Sequence, residues 1–457
     1  MKSEKRKMGK FLIPSIVGML IFLCPVYVSV EGGHEWSIPI AVLTDFLGNT
    51  LAPVLPLLCV VLLTISAFFS VVALAKPAFI MNSNLLKECF YTAPIWVFVR
   101  VLGAVLVWLT YCNVHAGETY QDLLHMFTES GAGGFILGDL LTASIVLFLV
   151  AGILLPLLLD FGLLEFVGAI FTKFMRPLFT LPGRSAVDCM TSWIGSGSLG
   201  VMLTATQYEE GYYSEREACV IATTFSAVSI TFAMIVLQQV GLMSYFGIYY
   251  VLVFLVGIVC AVIVPRIPPL SRKKDQYYVE GVHISEEVPA GYTAVSYGLK
   301  LALDKAEQFQ GTAAFLKKGF KYTVSMWIGV LPVIMAIGTV AMVLANHTPI
   351  FDYLGKPFLP LLNLLQVPEA EAASTTMIVG FTDMFTPAII AAGKITSEMT
   401  RFIVATVSVT QVIYLSEIGG IILGSKIPVK FLELLVIFIE RTIISLILVC
   451  PIAFLIF

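Results

Sequence analysis

Gly195-Ser196-Gly197-Ser198-Leu199-Gly200 interrupts an apolar run from Ser185 to Gln207, and Gly380-Phe381-Thr382-Asp383 interrupts another from Ala372 to Gly393. Each break is followed by a polar stretch with an arginine, Arg216 or Arg401, and both pairs stand 185 residues apart (380 − 195 and 401 − 216). Leu155-Pro156 with Gly162, and Leu331-Pro332 with Gly338, repeat at a shorter offset of 176 (331 − 155 and 338 − 162). The difference falls where the second copy carries the extra polar stretch Asn346-His347-Thr348-Pro349. The second half of the chain therefore reads as a copy of the first.

Composition identifies the solvent. The chain is 58% apolar and only 12% charged, with a mean hydropathy of +0.93, against roughly 45–50% and about 25% in globular domains. This predicts an all-α polytopic membrane protein with the lipid bilayer as its surroundings. A net charge of −3 with scattered basic clusters gives no nucleic-acid footprint. The eight cysteines are dispersed without a CxxC, and the five histidines fall in predicted loops, so no metal site is expected. No HExxH or Ser/His/Asp pattern lies within the spans, so an enzyme is not expected.

Met1–Lys10 is basic and precedes the apolar run Phe11–Val30, which is too long, and lacks the small-residue exit, for a cleaved signal. It reads as a first membrane helix with its N-terminus inside. Leu51–Ala75, Ala93–Cys112 and Asp139–Leu159 each approach the ~20 residues that cross a bilayer. The connections Glu31–Thr50 and Asn113–Gly138 contain no Lys or Arg, whereas Lys76–Arg100 and Phe161–Arg184 contain several. The positive-inside rule therefore alternates them outside and inside.

Arg216–Gln238 and Tyr245–Val264 read as further spans, the second ending at the basic stretch 265–274. Phe161–Tyr213 must then cross an even number of times, which a re-entrant hairpin at Gly195–Gly200 satisfies. The second copy runs through Tyr322–Ala345, a hairpin at Ala372–Gly393, Arg401–Leu423 and Phe431–Phe457. The count is nine spans plus two re-entrant hairpins in an inverted-topology repeat, divided as 1–138, 139–264, a cytoplasmic linker at 265–321, and 322–457.

Non-helical backbone at membrane depth persists only where protein or a water-filled cavity satisfies it, and matched breaks in two halves point to a binding site. Gly195, Ser196, Gly197 and Ser198 at one tip, with Gly380, Thr382 and Asp383 at the other, offer free N–H groups and hydroxyls to a small polar solute. The helices after the tips add Thr223 and Ser226 in one copy, and Gln411 and Glu417 in the other. The shared offset sets Ser226 on Gln411. Asp383 and Glu417 are candidates for ion coupling by Na⁺ or H⁺, because an ionisable group at bilayer depth costs about 2.5–3.5 kcal/mol. Asp188 is a third, nearer the inner surface. The competing readings are close helix packing for the glycines and helix capping for the two carboxylates.

The broken Gly-Ser hairpin, the Ser/Thr-rich helix after it and their duplication resemble the Gate, or nucleoside-recognition, domain, and the whole length resembles the YjiH-type bacterial membrane proteins. Related repeats occur in concentrative nucleoside transporters, in the membrane part of ferrous-iron transporter B and in spore-maturation proteins. The resemblance implies an inner-membrane secondary carrier of a nucleoside or similar solute, with 139–264 and 322–457 as Gate repeats. By analogy with nucleoside carriers it also implies a homo-oligomer. A metal-ion permease and a non-transporting assembly or sporulation factor are the alternatives it carries. The chain has no G-x-x-x-x-G-K-[ST] loop, which leaves the iron-transporter reading incomplete.

Overall fold

The computed structural model describes residues 2–24, 26–30, 33–115, 122–195, 197–225, 228, 230–279, 288–289, 291–309 and 311–457. Helix dominates. The first helix, Lys2–Leu23, stops short of the apolar run's end at Val30. There β-branched and aromatic residues favour extended chain, and Val26–Val30 pairs antiparallel with Gly33–Ser37 in a small ribbon. The described part of Asn113–Gly138 is mostly helical. A helix runs from Asp122 to Thr128, and from Gly133 the chain continues through a π-helical turn at Ile136–Leu141 into Thr142–Leu154.

Six helical runs among the described residues are long and apolar enough to cross a bilayer: Leu55–Leu74, Pro94–Val114, Leu124–Leu159, Met243–Arg272, Thr312–His347 and Phe431–Ile456. The two that carry the matched Leu-Pro pairs pack together. Trp327 Nε1 donates to the carbonyl of Ile145 at 2.9 Å, and Thr323 Oγ1 to that of Phe148 at 3.2 Å. Such hydroxyl and indole bonds across helices supply attraction that hydrocarbon surroundings do not.

Both sequence breaks form antiparallel helical hairpins. In the first, Ser185–Met190 and a π-helical turn at Thr191–Gly195 lead to the tip, and Gly197–Glu209 returns. Its legs touch so closely at Gly200 that a Cβ there would lie 2.5 Å from Ser192 Cβ. Asp188 accepts from Thr204 Oγ1 at 3.0 Å and from Gln207 Nε2 at 2.6 Å, tying leg to leg. In the second, Ala370–Val379 and Thr386–Lys394 flank the turn. The Glu369 carboxylate closes its base by accepting from Thr396 N, Thr396 Oγ1 and Ser397 N.

The helix after each hairpin is itself broken, where the sequence reading had single spans. Glu215–Thr224 begins at a capping box of Ser214 and Glu217, ends before Phe225, and helix resumes at Ile230–Gln239. Glu398–Gln411, capped by Ser397, ends at Val412 with φ 64°, a conformation that a β-branched residue resists. Helix resumes only at Ile418–Gly424. The two broken helices run antiparallel. Arg401, near the start of the second, donates to the carbonyl of Val240 at the end of the first. At the opposite face, Cys219 near the start of the first meets the carbonyl of Pro428, beyond the end of the second.

Candidate functional site

The two hairpin tips and the second helix break converge on one polar cluster. The unwound stretch 412–417 lies along the second tip, where Leu415 N donates to the Phe381 carbonyl at 2.8 Å and Ser416 N to that of Thr382 at 3.0 Å. Glu417 reaches the other half of the chain. Its Oε1 accepts from Ser198 Oγ at the first tip, and its Oε2 from the phenolic hydroxyl of Tyr414 at 3.2 Å. One carboxylate thus joins the two hairpin regions.

Asp383 stands differently. Its Oδ1 accepts from Phe385 N, Thr386 N and Thr386 Oγ1 at 2.8–3.2 Å, and its Oδ2 from Ser416 Oγ at 3.2 Å. Asp383 thus lies two residues ahead of Phe385, the N-cap of the helix Thr386–Lys394, and its carboxylate accepts from N–H groups at the positive start of that helix.

The other candidates divide the same way. Gln411 Nε2 donates to the Met377 carbonyl at 2.7 Å and to Thr442 Oγ1 at 2.9 Å. Its Oε1 is buried without a partner and points at Gly380, where a Cβ would lie 2.0 Å away. Thr382 and Thr223 turn their hydroxyls back onto their own chain, at Val379 and Cys219, as helical threonines often do. Gly195 closes the π-helical turn before the first tip, and Gly197 opens the returning helix. Ser196 and Ser226 lie outside the described residues.

Sequence reading passed over Arg441. It lies in the helix Phe431–Ile456 and is 1% exposed. Its guanidinium donates to the carbonyls of Thr410 and Gln411 at 2.8–3.2 Å and to those of Thr223 and Thr224 at 3.1–3.4 Å. One side chain thus binds the C-terminal ends of both half-helices that precede the breaks. The signal was present: a lone arginine in a long apolar helix meets the same criterion of cost that singled out Asp383 and Glu417.

A second polar cluster sits at the base of the first hairpin. Arg184 donates to Gln207 Oε1 at 2.9 Å, stands 3.7 Å from Glu165, and lies 3.9 Å from the centre of the Tyr212 ring. Lys318 bridges Asp160 at 2.5 Å and Glu210 at 2.8 Å, and Lys305 of the linker bonds the Tyr212 hydroxyl. These pairs bolt the hairpin base to the linker helix Ala294–Glu307 and to the span Thr312–His347. At the second hairpin's base, the hydroxyl and amide donors of Thr396 and Ser397 hold Glu369 below the usual carboxylate range.

Residues 141–243 match a family model described as Gate, nucleoside recognition. The chain is 44% identical over 439 residues to the uncharacterized protein BpOF4_10220 of Alkalihalophilus pseudofirmus, covering 96% of this chain and 92% of that relative. No solved structure matches.

Proposed function

We propose, from the premise that this chain belongs to the Gate-domain, nucleoside-recognition family of membrane proteins, that it is a secondary-active carrier of a nucleoside or similarly small polar solute. Transport is coupled to Na⁺ or H⁺ across the bacterial inner membrane, with the N-terminus cytoplasmic and nine spans. The antiparallel broken helices and the opposed hairpins support an inverted repeat with two re-entrant tips. In such repeats substrate sits at their interface, near the midplane, against helix ends and unwound backbone.

The observation that carries this reading is the bond from Ser198 to Glu417. It joins the tip of one copy to the unwound segment of the other through a carboxylate held by two hydroxyls and by no cation among the described residues. Hydroxyl and amide groups of a nucleoside exchange for those donors at little net cost, because one hydrogen bond replaces another.

The test is uptake of radiolabelled nucleosides into liposomes that contain the purified protein, under an imposed Na⁺ or proton gradient. Accumulation by the wild type, lost in Glu417→Ala and Ser198→Ala protein that remains folded, is the expected result. Failure to accumulate nucleosides, nucleobases or amino acids under either gradient would overturn the proposal and favour a membrane factor that holds partners.

A further inference from the structure

The guanidinium of Arg441 occupies an unusual place. Four carbonyls, from Thr223 and Thr224 in one half-helix and from Thr410 and Gln411 in the other, converge on it. Arg441 forms no ion pair among the described residues. Its counter-charge must come from dipoles. Each half-helix C-terminus carries the equivalent of about −0.5 elementary charge, so two converging ends balance one monovalent cation.

Carbonyls at half-helix C-termini beside unwound backbone form the kind of cradle that holds a coupling cation in carriers built from inverted repeats. Here the cradle is filled by a side chain. It is drawn from the helix Phe431–Ile456, which belongs to neither half-helix, and all three guanidinium nitrogens are engaged. We infer that Arg441 is a tethered cation standing where a coupling Na⁺ would bind, so that sodium is not the coupling ion at the crossing of the two broken helices. This rests on the carrier reading and removes sodium from this cradle.

The experiment needs no substrate for its first arms. Thermal midpoints of the purified protein are measured in sodium, potassium and choline chloride at equal ionic strength. The wild type is expected to show the same midpoint in all three. Arg441→Ala is expected to fall in midpoint and to recover part of the loss in Na⁺ or methylguanidinium relative to choline, because the emptied cradle accepts a free cation. Arg441→Lys is expected to sit between them and to be indifferent to the cation. A merely structural arginine would give a loss that no cation relieves. Sodium-specific stabilisation of the wild type, or Arg441→Ala protein that responds to no cation, would overturn the inference. Should Arg441→Ala fail to fold, the wild type and Arg441→Lys decide, since sodium dependence in either contradicts a filled cradle.

Uptake in liposomes separates this inference from the carrier proposal. Uptake that persists in sodium-free choline medium supports both. Sodium-dependent uptake whose sodium affinity changes in Arg441→Lys protein refutes the tethered cation and leaves the carrier standing. Absent uptake with cation-indifferent wild-type stability refutes the carrier and leaves Arg441's role intact.

Discussion

Replacing Gly380 by alanine tests how tightly the second hairpin is set against the broken helix. The backbone there has φ −54° and ψ −18°, values open to any residue, so the effect of Gly380→Ala is steric. The new Cβ would lie 2.0 Å from Gln411 Oε1 and 3.1 Å from Gln411 Cδ. Gln411 cannot yield freely, because its amide is pinned to Met377 at 2.7 Å and to Thr442 at 2.9 Å. Moving it breaks two buried bonds, each contributing about 0.5–1.5 kcal/mol, and leaving a buried partner unsatisfied adds about 1–3 kcal/mol. The reduced freedom of the unfolded chain returns about 0.4–1 kcal/mol. The net loss expected is about 1–6 kcal/mol. Gln411→Ala removes the obstructing atom, so Gly380→Ala in that background should cost little. Thermal and denaturant unfolding of the four proteins closes a double-mutant cycle. A coupling below about 0.5 kcal/mol would refute the packing argument, as would a stable Gly380→Ala single variant.

Three further outcomes follow from the geometry. Arg184→Met should cost about 3–5 kcal/mol by stranding the buried Glu165 carboxylate, and adding Glu165→Gln should restore much of the thermal midpoint. Ser198→Ala removes a hydroxyl bond to a carboxylate, worth about 1.5–3 kcal/mol. It should weaken solute binding measured by calorimetry while leaving the fold intact by circular dichroism. Glu369, depressed below its ordinary 4.5 by the Thr396 and Ser397 donors, stabilises the folded chain above that pH, and the contribution is lost as pH falls through the lower folded value. The stability gap between wild type and Glu369→Ala should therefore shrink on acidification from neutrality; a gap that widened would contradict the assignment.

The sequence makes both hairpins legible because glycine and hydroxyl residues interrupt runs that are otherwise uniformly apolar, and the shared offset makes the second confirm the first. The breaks in the following helices were less visible. Val412–Glu417 contains Val, Ile, Tyr and Leu, which read as a continuing span. What ends the helix is the left-handed Val412 and the pairing of Leu415 and Ser416 with the hairpin tip. Such pairing joins residues distant in sequence and leaves no local periodicity. Asp383 and Glu417 looked equivalent as lone carboxylates at depth. Only the donor sets separate them, since Asp383 binds N–H groups at the start of a helix three residues away while Glu417 bonds Ser198 in the other half of the chain.

That separation follows from how the molecule disposes of its helix ends. Breaking helices at membrane depth exposes dipole ends that lipid cannot solvate. The C-terminal ends of Glu215–Thr224 and Glu398–Gln411 are bound by Arg441, and the N-terminal end of Thr386–Lys394 is bound by Asp383. Among the remaining N-terminal ends are those of Gly197–Glu209 and Ile418–Gly424. Between them stands the Glu417 carboxylate, at the cap position of the second yet making no cap bond, and held instead by the hydroxyls of Ser198 and Tyr414. Hydroxyl bonds exchange with a ligand more readily than a guanidinium in a carbonyl cradle or a carboxylate at a helix start, because each lost donor has an equal replacement. Arg441 and Asp383 therefore hold helix ends, whereas under the proposed carrier reading Glu417 with Ser198 is where a polar solute would enter without leaving a buried group unpaired.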